Sequence, residues 1–173
     1  MLDHVEATMT TLLNKFSIRA ALMFAAICPV ASHAATDAPF KAVMQTKEVL
    51  ALNPAACPLT PFLQGTTTGS GNAMHMGKIT GVATDCVTPT DSSFTFTGGL
   101  LVLTAANGDT LTAEYSGSLI PTAAYPIYTI SGSYRLTGGT GRFVSATGSG
   151  TLQGYSNIVS GAGSYTASGT ISY

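Results

Sequence analysis

Gly138-Gly139-Thr140-Gly141-Arg142-Phe143-Val144-Ser145-Ala146-Thr147-Gly148 separates two stretches in which apolar or small residues alternate with polar ones. Before it, Tyr128, Ile130, Gly132, Tyr134 and Leu136 share one face, backed by Thr129, Ser131, Ser133 and Arg135. After it, Val144, Ala146, Gly148, Gly150 and Leu152 alternate with Ser145, Thr147, Ser149, Thr151 and Gln153. A period of two is strand geometry, because successive side chains point to opposite faces of a sheet. Glycine enters positive φ without steric cost, so Gly138, Gly139 and Gly141 predict a tight hairpin connection, with a strand running from Phe143 to Leu152. These three glycines are read as structural turn residues. An anion-binding glycine loop usually leads into a helix N-terminus, and a strand follows here.

Working outward, the same alternation recurs. Leu100 to Ala105 leads through Ala106-Asn107-Gly108 into Asp109 to Tyr115. A two-residue Asn-Gly turn would mix the faces. A three-residue loop with Gly108 in the left-handed position instead pairs Leu103 with Leu111 and Leu101 with Ala113, gathering Leu101, Leu103, Leu111, Ala113 and Tyr115 on one apolar face. At the C-terminal end, Tyr165, Ala167, Gly169, Ile171 and Tyr173 alternate with Ser and Thr. Short strands rich in small residues predict an all-β fold, a single antiparallel β-barrel of about eight strands. The expected organisation is a leader over 1–34, an N-terminal strand and Pro-rich loop over 35–68, and a barrel body over 69–173.

The pattern Gly-Gly-Thr-Gly-x-Phe-x-x-Ala-x-Gly at 138–148 resembles the motif of the allene oxide cyclase and dirigent barrels. It is similar also to bacterial secreted proteins of unassigned role that carry an allene-oxide-cyclase-like domain. The motif covers only these residues, and a looser resemblance runs from about Gly69 to Tyr173. It implies an eight-stranded antiparallel barrel, calycin-like in outline, with an apolar cavity and, as in the plant members, assembly into trimers. No catalytic residue is carried over, because the matched positions are turn and packing positions.

The N-terminal text reads as a targeting signal. Lys15 and Arg19 precede the apolar run Ala20 to Ile27, and Ser32-His33-Ala34 supplies small residues for cleavage. Asp3 and Glu6 fit such a flank poorly, so residues 1–8 are read as preceding the true start at Met9. Secretion or export to a periplasm follows, with no membrane association after processing. The mature chain keeps Cys57 and Cys86, an even pair in an oxidising compartment, so a disulfide between them is expected. It would hold the loop from Asn53 to Pro61, whose three prolines exclude it from a ladder. Phe40 to Leu50 is expected as an opening strand, with helical character in its last four residues.

Seven Lys and Arg against eight Asp and Glu leave no basic face for nucleic acid and no charge run for an anionic membrane. Met74-His75-Met76 raises copper, but on a strand His75 would face away from both methionines, so no metal and no cofactor are expected. Glu114 falls opposite the apolar face and is read as a solvated carboxylate. Serine-hydrolase elbows, His-Glu-x-x-His and phosphate loops are absent, and no paired carboxylates lie near each other in the sequence after the leader. The inward-facing tyrosines Tyr115, Tyr128, Tyr134 and Tyr165 are the candidate ligand-binding lining, either of a packed core, the reading preferred for a small barrel, or of a pocket. The functional expectation is an exported, non-enzymatic binding or structural module for a small apolar ligand or partner. The alternative is a cyclase or isomerase that shapes an apolar substrate in the barrel.

Overall fold

Alternation of apolar and polar side chains builds eight strands: β1 (Ala38–Leu52), β2 (Leu63–Ala73), β3 (Gly77–Pro89), β4 (Phe94–Ala105), β5 (Thr110–Pro121), β6 (Ile127–Gly139), β7 (Gly148–Asn157) and β8 (Ala162–Ile171). The computed structural model describes residues 37–173, so the leader expected over 1–34 lies outside the described residues. Each strand pairs antiparallel with the next, and β8 returns to pair with β1, closing the sheet into a barrel. Closure leaves no free edge.

The β4–β5 hairpin has the expected register, with Leu103 opposite Leu111 and Leu101 opposite Ala113. Gly108 sits at φ 89° and the Ala105 amide donates to the Asp109 carbonyl at 2.9 Å. A boundary at residue 69 does not separate a barrel body from an N-terminal extension. β1 pairs with β2 along Ala42–Leu52 and with β8 along Ala38–Lys47, so both N-terminal strands are staves of the barrel. Nor do Lys47 to Leu50 turn helical; β1 continues through them because β2 and the β7–β8 turn supply its backbone partners, including the Glu48 amide to Gly161 carbonyl bond of 2.8 Å.

Two further expectations are corrected. Residues 140–147 are not a tight hairpin. Gly141–Phe143 forms a 3-10 turn, and β7 begins only at Gly148. Thr140 ties this segment to β5 by accepting from the Thr110 amide through its hydroxyl and donating its own amide to the Thr110 carbonyl. The segment drops Phe143 and Ala146 into the barrel base, both essentially fully buried, while Val144 is 69% exposed instead of sharing a face with Ala146. Met74-His75-Met76 is likewise a turn between β2 and β3 and not a strand, with His75 at φ 66°. The His75 ring lies against Tyr173, and the Arg142 guanidinium donates to the His75 carbonyl.

These connections close one end of the barrel, the plugged end. Phe40, Met44, Ile79, Leu103, Leu111, Leu136, Phe143 and Ile171 fill that half as a continuous apolar core. Each such side chain contributes about 1.5–3 kcal/mol by leaving water.

Candidate functional site

Toward the other end, where residues 53–62, 90–93, 122–126 and 158–161 join the strands, the interior is not filled. A cavity of about 80 Å³ is lined by Ala83, Val87, Phe96, Leu101, Leu119, Ile130 and Leu152, with the hydroxyls of Thr46, Thr67 and Ser156. The interior therefore divides between a packed half and a hollow half, where a packed core throughout was the preferred expectation.

Two carboxylates, Glu48 on β1 and Asp85 on β3, face this cavity with Tyr115 on β5 and Tyr165 on β8. Their positions follow from strand parity. Phe40, Ala42, Met44, Thr46 and Glu48 alternate inward along β1, as Ile79, Gly81, Ala83, Asp85 and Val87 do along β3. Gly65, the cross-strand partner of Asp85, lies between them. A Cβ added there would stand 2.8 Å from Asp85 Oδ1 and 2.8 Å from Glu48 Oε1, so glycine alone leaves room for both groups. Gly99 does the same for Tyr115, whose ring atoms come within 2.7 Å of where a side chain would begin. The ring lies over Gly99 on β4, and Tyr115 Oη donates to Asp85 Oδ2 on β3 at 2.6 Å, in the range of a charge-assisted bond.

Burial, reinforced by the negative charge of Asp85, pushes the Glu48 carboxyl up from 4.5 to about 7. Burial also raises Asp85, against the opposing pull of the Tyr115 hydrogen bond. Tyr115 is driven far up by burial and then by the adjacent Asp85 charge, and burial pushes Tyr165 up to about 12. Both phenols thus stay protonated at any physiological pH. Tyr165 Oη donates to Met44 Sδ at 3.0 Å. Asp85 Oδ1 is buried without a hydrogen-bond partner.

Of the four tyrosines expected as lining, Tyr115 and Tyr165 meet at the cavity. Tyr134 does not line it. It packs into the core with its ring edge toward Phe40, and its hydroxyl is buried without a partner. Tyr128 is half-buried and tilts against Phe94 nearer the barrel end, off the cavity wall. Gly138, Gly139 and Gly141 all stand at the plugged end, away from the cavity. Glu114 is outward and exposed, paired with Arg135 at 2.7 Å. The Cys57–Cys86 disulfide forms as expected. It anchors the 53–62 loop one residue along β3 from Asp85, with Cys57 buried.

Glu48 and Asp85 were not singled out from sequence, though the signal was present. Each continues an inward-facing series of apolar residues at a spacing of two. They are far apart in the chain and come together only because β2 lies between β1 and β3. Chemically, the group can hold a proton near neutrality, accept hydrogen bonds from a buried donor, and enclose a small apolar body. Comparison with known proteins yields no matching family model, no matching curated protein and no matching solved structure.

Proposed function

We propose that this protein is an exported, non-enzymatic binding module that takes a small, largely apolar molecule into the hollow half of its barrel. The carrying observation is the cavity, whose wall is mostly hydrocarbon with polar groups gathered at Glu48, Asp85, Tyr115 and Tyr165. Few polar groups in an apolar concavity is the usual make-up of a small-molecule site. At about 80 Å³ the space suits a compact ligand, well below drug-sized pockets of roughly 300–1,000 Å³. Exposed Leu52, Leu59, Tyr125 and Val159 stand at this same end, an apolar approach to the interior. The allene oxide cyclase and dirigent resemblance supports the same reading of a cavity barrel, as it supports a homo-oligomer. Export is supported by the disulfide and by the leader-like text before Ala35. Intact mass of the protein from an exporting host is expected to show a chain beginning near Ala35.

Binding is tested by methyl-resolved NMR with benzyl alcohol as probe. Shifts are expected at Leu101, Leu119, Ile130 and Leu152 and not at Leu111 or Leu136. Ala83→Leu, which projects into the cavity, should abolish them while the other resonances persist. Shifts scattered over the surface, or none, would overturn the reading.

One observation favours the cyclase or isomerase alternative. A carboxyl that titrates near 7 beside a second carboxyl and a phenol is suited to general acid–base work at neutral pH. In that case Glu48→Gln would leave apolar probes bound and eliminate turnover.

A further inference from the structure

Asp85 is 7% exposed, and its two oxygens are treated unequally. Oδ2 accepts from Tyr115, while Oδ1 is buried and unpartnered. A buried acceptor left without a donor is costly, so native structures rarely keep one. No Lys, Arg or His lines the cavity among the described residues, so the protein wall supplies no countercharge to the two acids. The two phenols are already committed, one to Asp85 Oδ2 and one to Met44. Asp85 Oδ1 is left with no donor on it, and the lining offers no fixed cation.

Spacing says what donor fits. Asp85 Oδ1 and Glu48 Oε1 each lie 2.8 Å from one common point above Gly65, so they are at most twice that, about 5.6 Å, from each other. That point itself is a bond length from the Gly65 Cα and closed to a ligand, but two carboxylates this close can share one ammonium that approaches from the cavity side, each charged N–H···O bond spanning about 2.7–2.9 Å. We infer that the ligand is a small protonated amine on an apolar body, its ammonium seated between Glu48 and Asp85 and its hydrocarbon in the cavity. This rests on the cavity-binding reading above and specifies the chemical class. A calcium or magnesium ion is a poor alternative, because it needs about six oxygen ligands and the rest of the wall is largely hydrocarbon. Among the described residues no cluster of three or more His, Cys, Asp or Glu forms.

The groups facing the nitrogen position are Glu48 from β1, Asp85 from β3, Tyr115 from β5 and Tyr165 from β8. Both phenols remain protonated, and Glu48, pushed up to about 7, changes charge between pH 5 and pH 8. Calorimetric titration of the intact chain with benzylamine, and with benzyl alcohol as its neutral match, tests the proposal. At pH 8 benzylamine is expected to bind at least tenfold more tightly than benzyl alcohol. At pH 5 that advantage should shrink as Glu48 takes up a proton. Asp85→Asn should cost the amine tenfold or more, a loss well beyond any it causes for benzyl alcohol, with folding checked by circular dichroism. Glu48→Gln provides the same test should Asp85→Asn misfold. Equal binding of both probes at pH 8, or amine binding indifferent to pH and to both variants, would overturn the amine and leave the apolar cavity standing. Failure of both probes to bind would overturn the cavity reading with it.

Discussion

Gly65 carries more of the site than its missing side chain suggests. With both carboxylate oxygens 2.8 Å from where a Cβ would sit, Gly65→Ala should push Glu48 and Asp85 apart and lower amine affinity before it harms the fold. Chemical-shift titration of the two carboxyls would report the separation. The acids also set a pH response of the empty protein. A raised folded-state pKa means that the folded state holds a proton the unfolded chain would release. Glu48 therefore contributes its full share below pH 4.5, and that share is lost as pH rises through about 7. The loss amounts to roughly 3 kcal/mol at most. Thermal melts of the ligand-free protein are expected to be higher at pH 4.5 than at pH 8, and Glu48→Gln should flatten the slope. A melt insensitive to pH in both forms would remove the proton from Glu48. Parity alone marks both acids as inward. What the sequence hides is their meeting, since that depends on barrel closure and on the room left by Gly65 and Gly99.

Among the elements, the segment between β6 and β7 is where a reading by alternation stops working. Strands such as β5, β6 and β8 are legible because an apolar residue at every second position has one buried face to seek. In residues 143–148 the same spacing is coincidental, because a 3-10 turn can bury Phe143 and Ala146 together while turning Val144 out. Phe143→Ala should cost about 3–5 kcal/mol, since it empties the fully buried plug. Gly141 sits at φ 58°, and an added Cβ there would also strike the Asp109 carboxylate, so Gly141→Ala should cost on the order of 1 kcal/mol or more. Both losses should appear in chemical denaturation with benzyl alcohol affinity unchanged, because the plug is remote from the cavity. At the other end, Cys57 and Cys86 are separated by 29 residues, and reduction should lower stability by roughly 3 kcal/mol. Since Cys86 adjoins Asp85, reduction should also weaken amine binding.

At the scale of the molecule, inside and outside are built from different chemistries. Inward positions are mostly apolar, while β1 shows Lys41, Gln45 and Lys47 outward and β6 shows Thr129, Ser131, Ser133 and Arg135. That is the reverse of a membrane-spanning barrel, whose lipid-facing side is the apolar one. Among the described residues no helix is long and apolar enough to cross a membrane. The outward face also carries exposed Val82 beside Val102 on neighbouring strands, with Leu100 next to them. This patch favours the homo-oligomer proposed above. Light scattering is expected to give a mass above that of one chain, and Val82→Lys should reduce it.

Ala38 on β1 lies opposite Ile171 on β8, and the Ser172 hydroxyl donates to the Asp37 carboxylate. A circular permutant of residues 37–173, joined there by a short linker and reopened at Asn107, should keep its melting temperature within a few degrees. The same seam has a consequence in time. A polypeptide delivered from its N-terminus releases Ala38–Leu52 first and the stave that must zip against it, Ala162–Ile171, last. Throughout that wait the nascent sheet is an incomplete cylinder with one row of unsatisfied amides along β1, open to the same stave of a neighbouring chain. The lysines at 41 and 47 lie on that very row, where charge discourages premature partners. Crowding while the chain is being delivered is then a hazard this architecture has to survive.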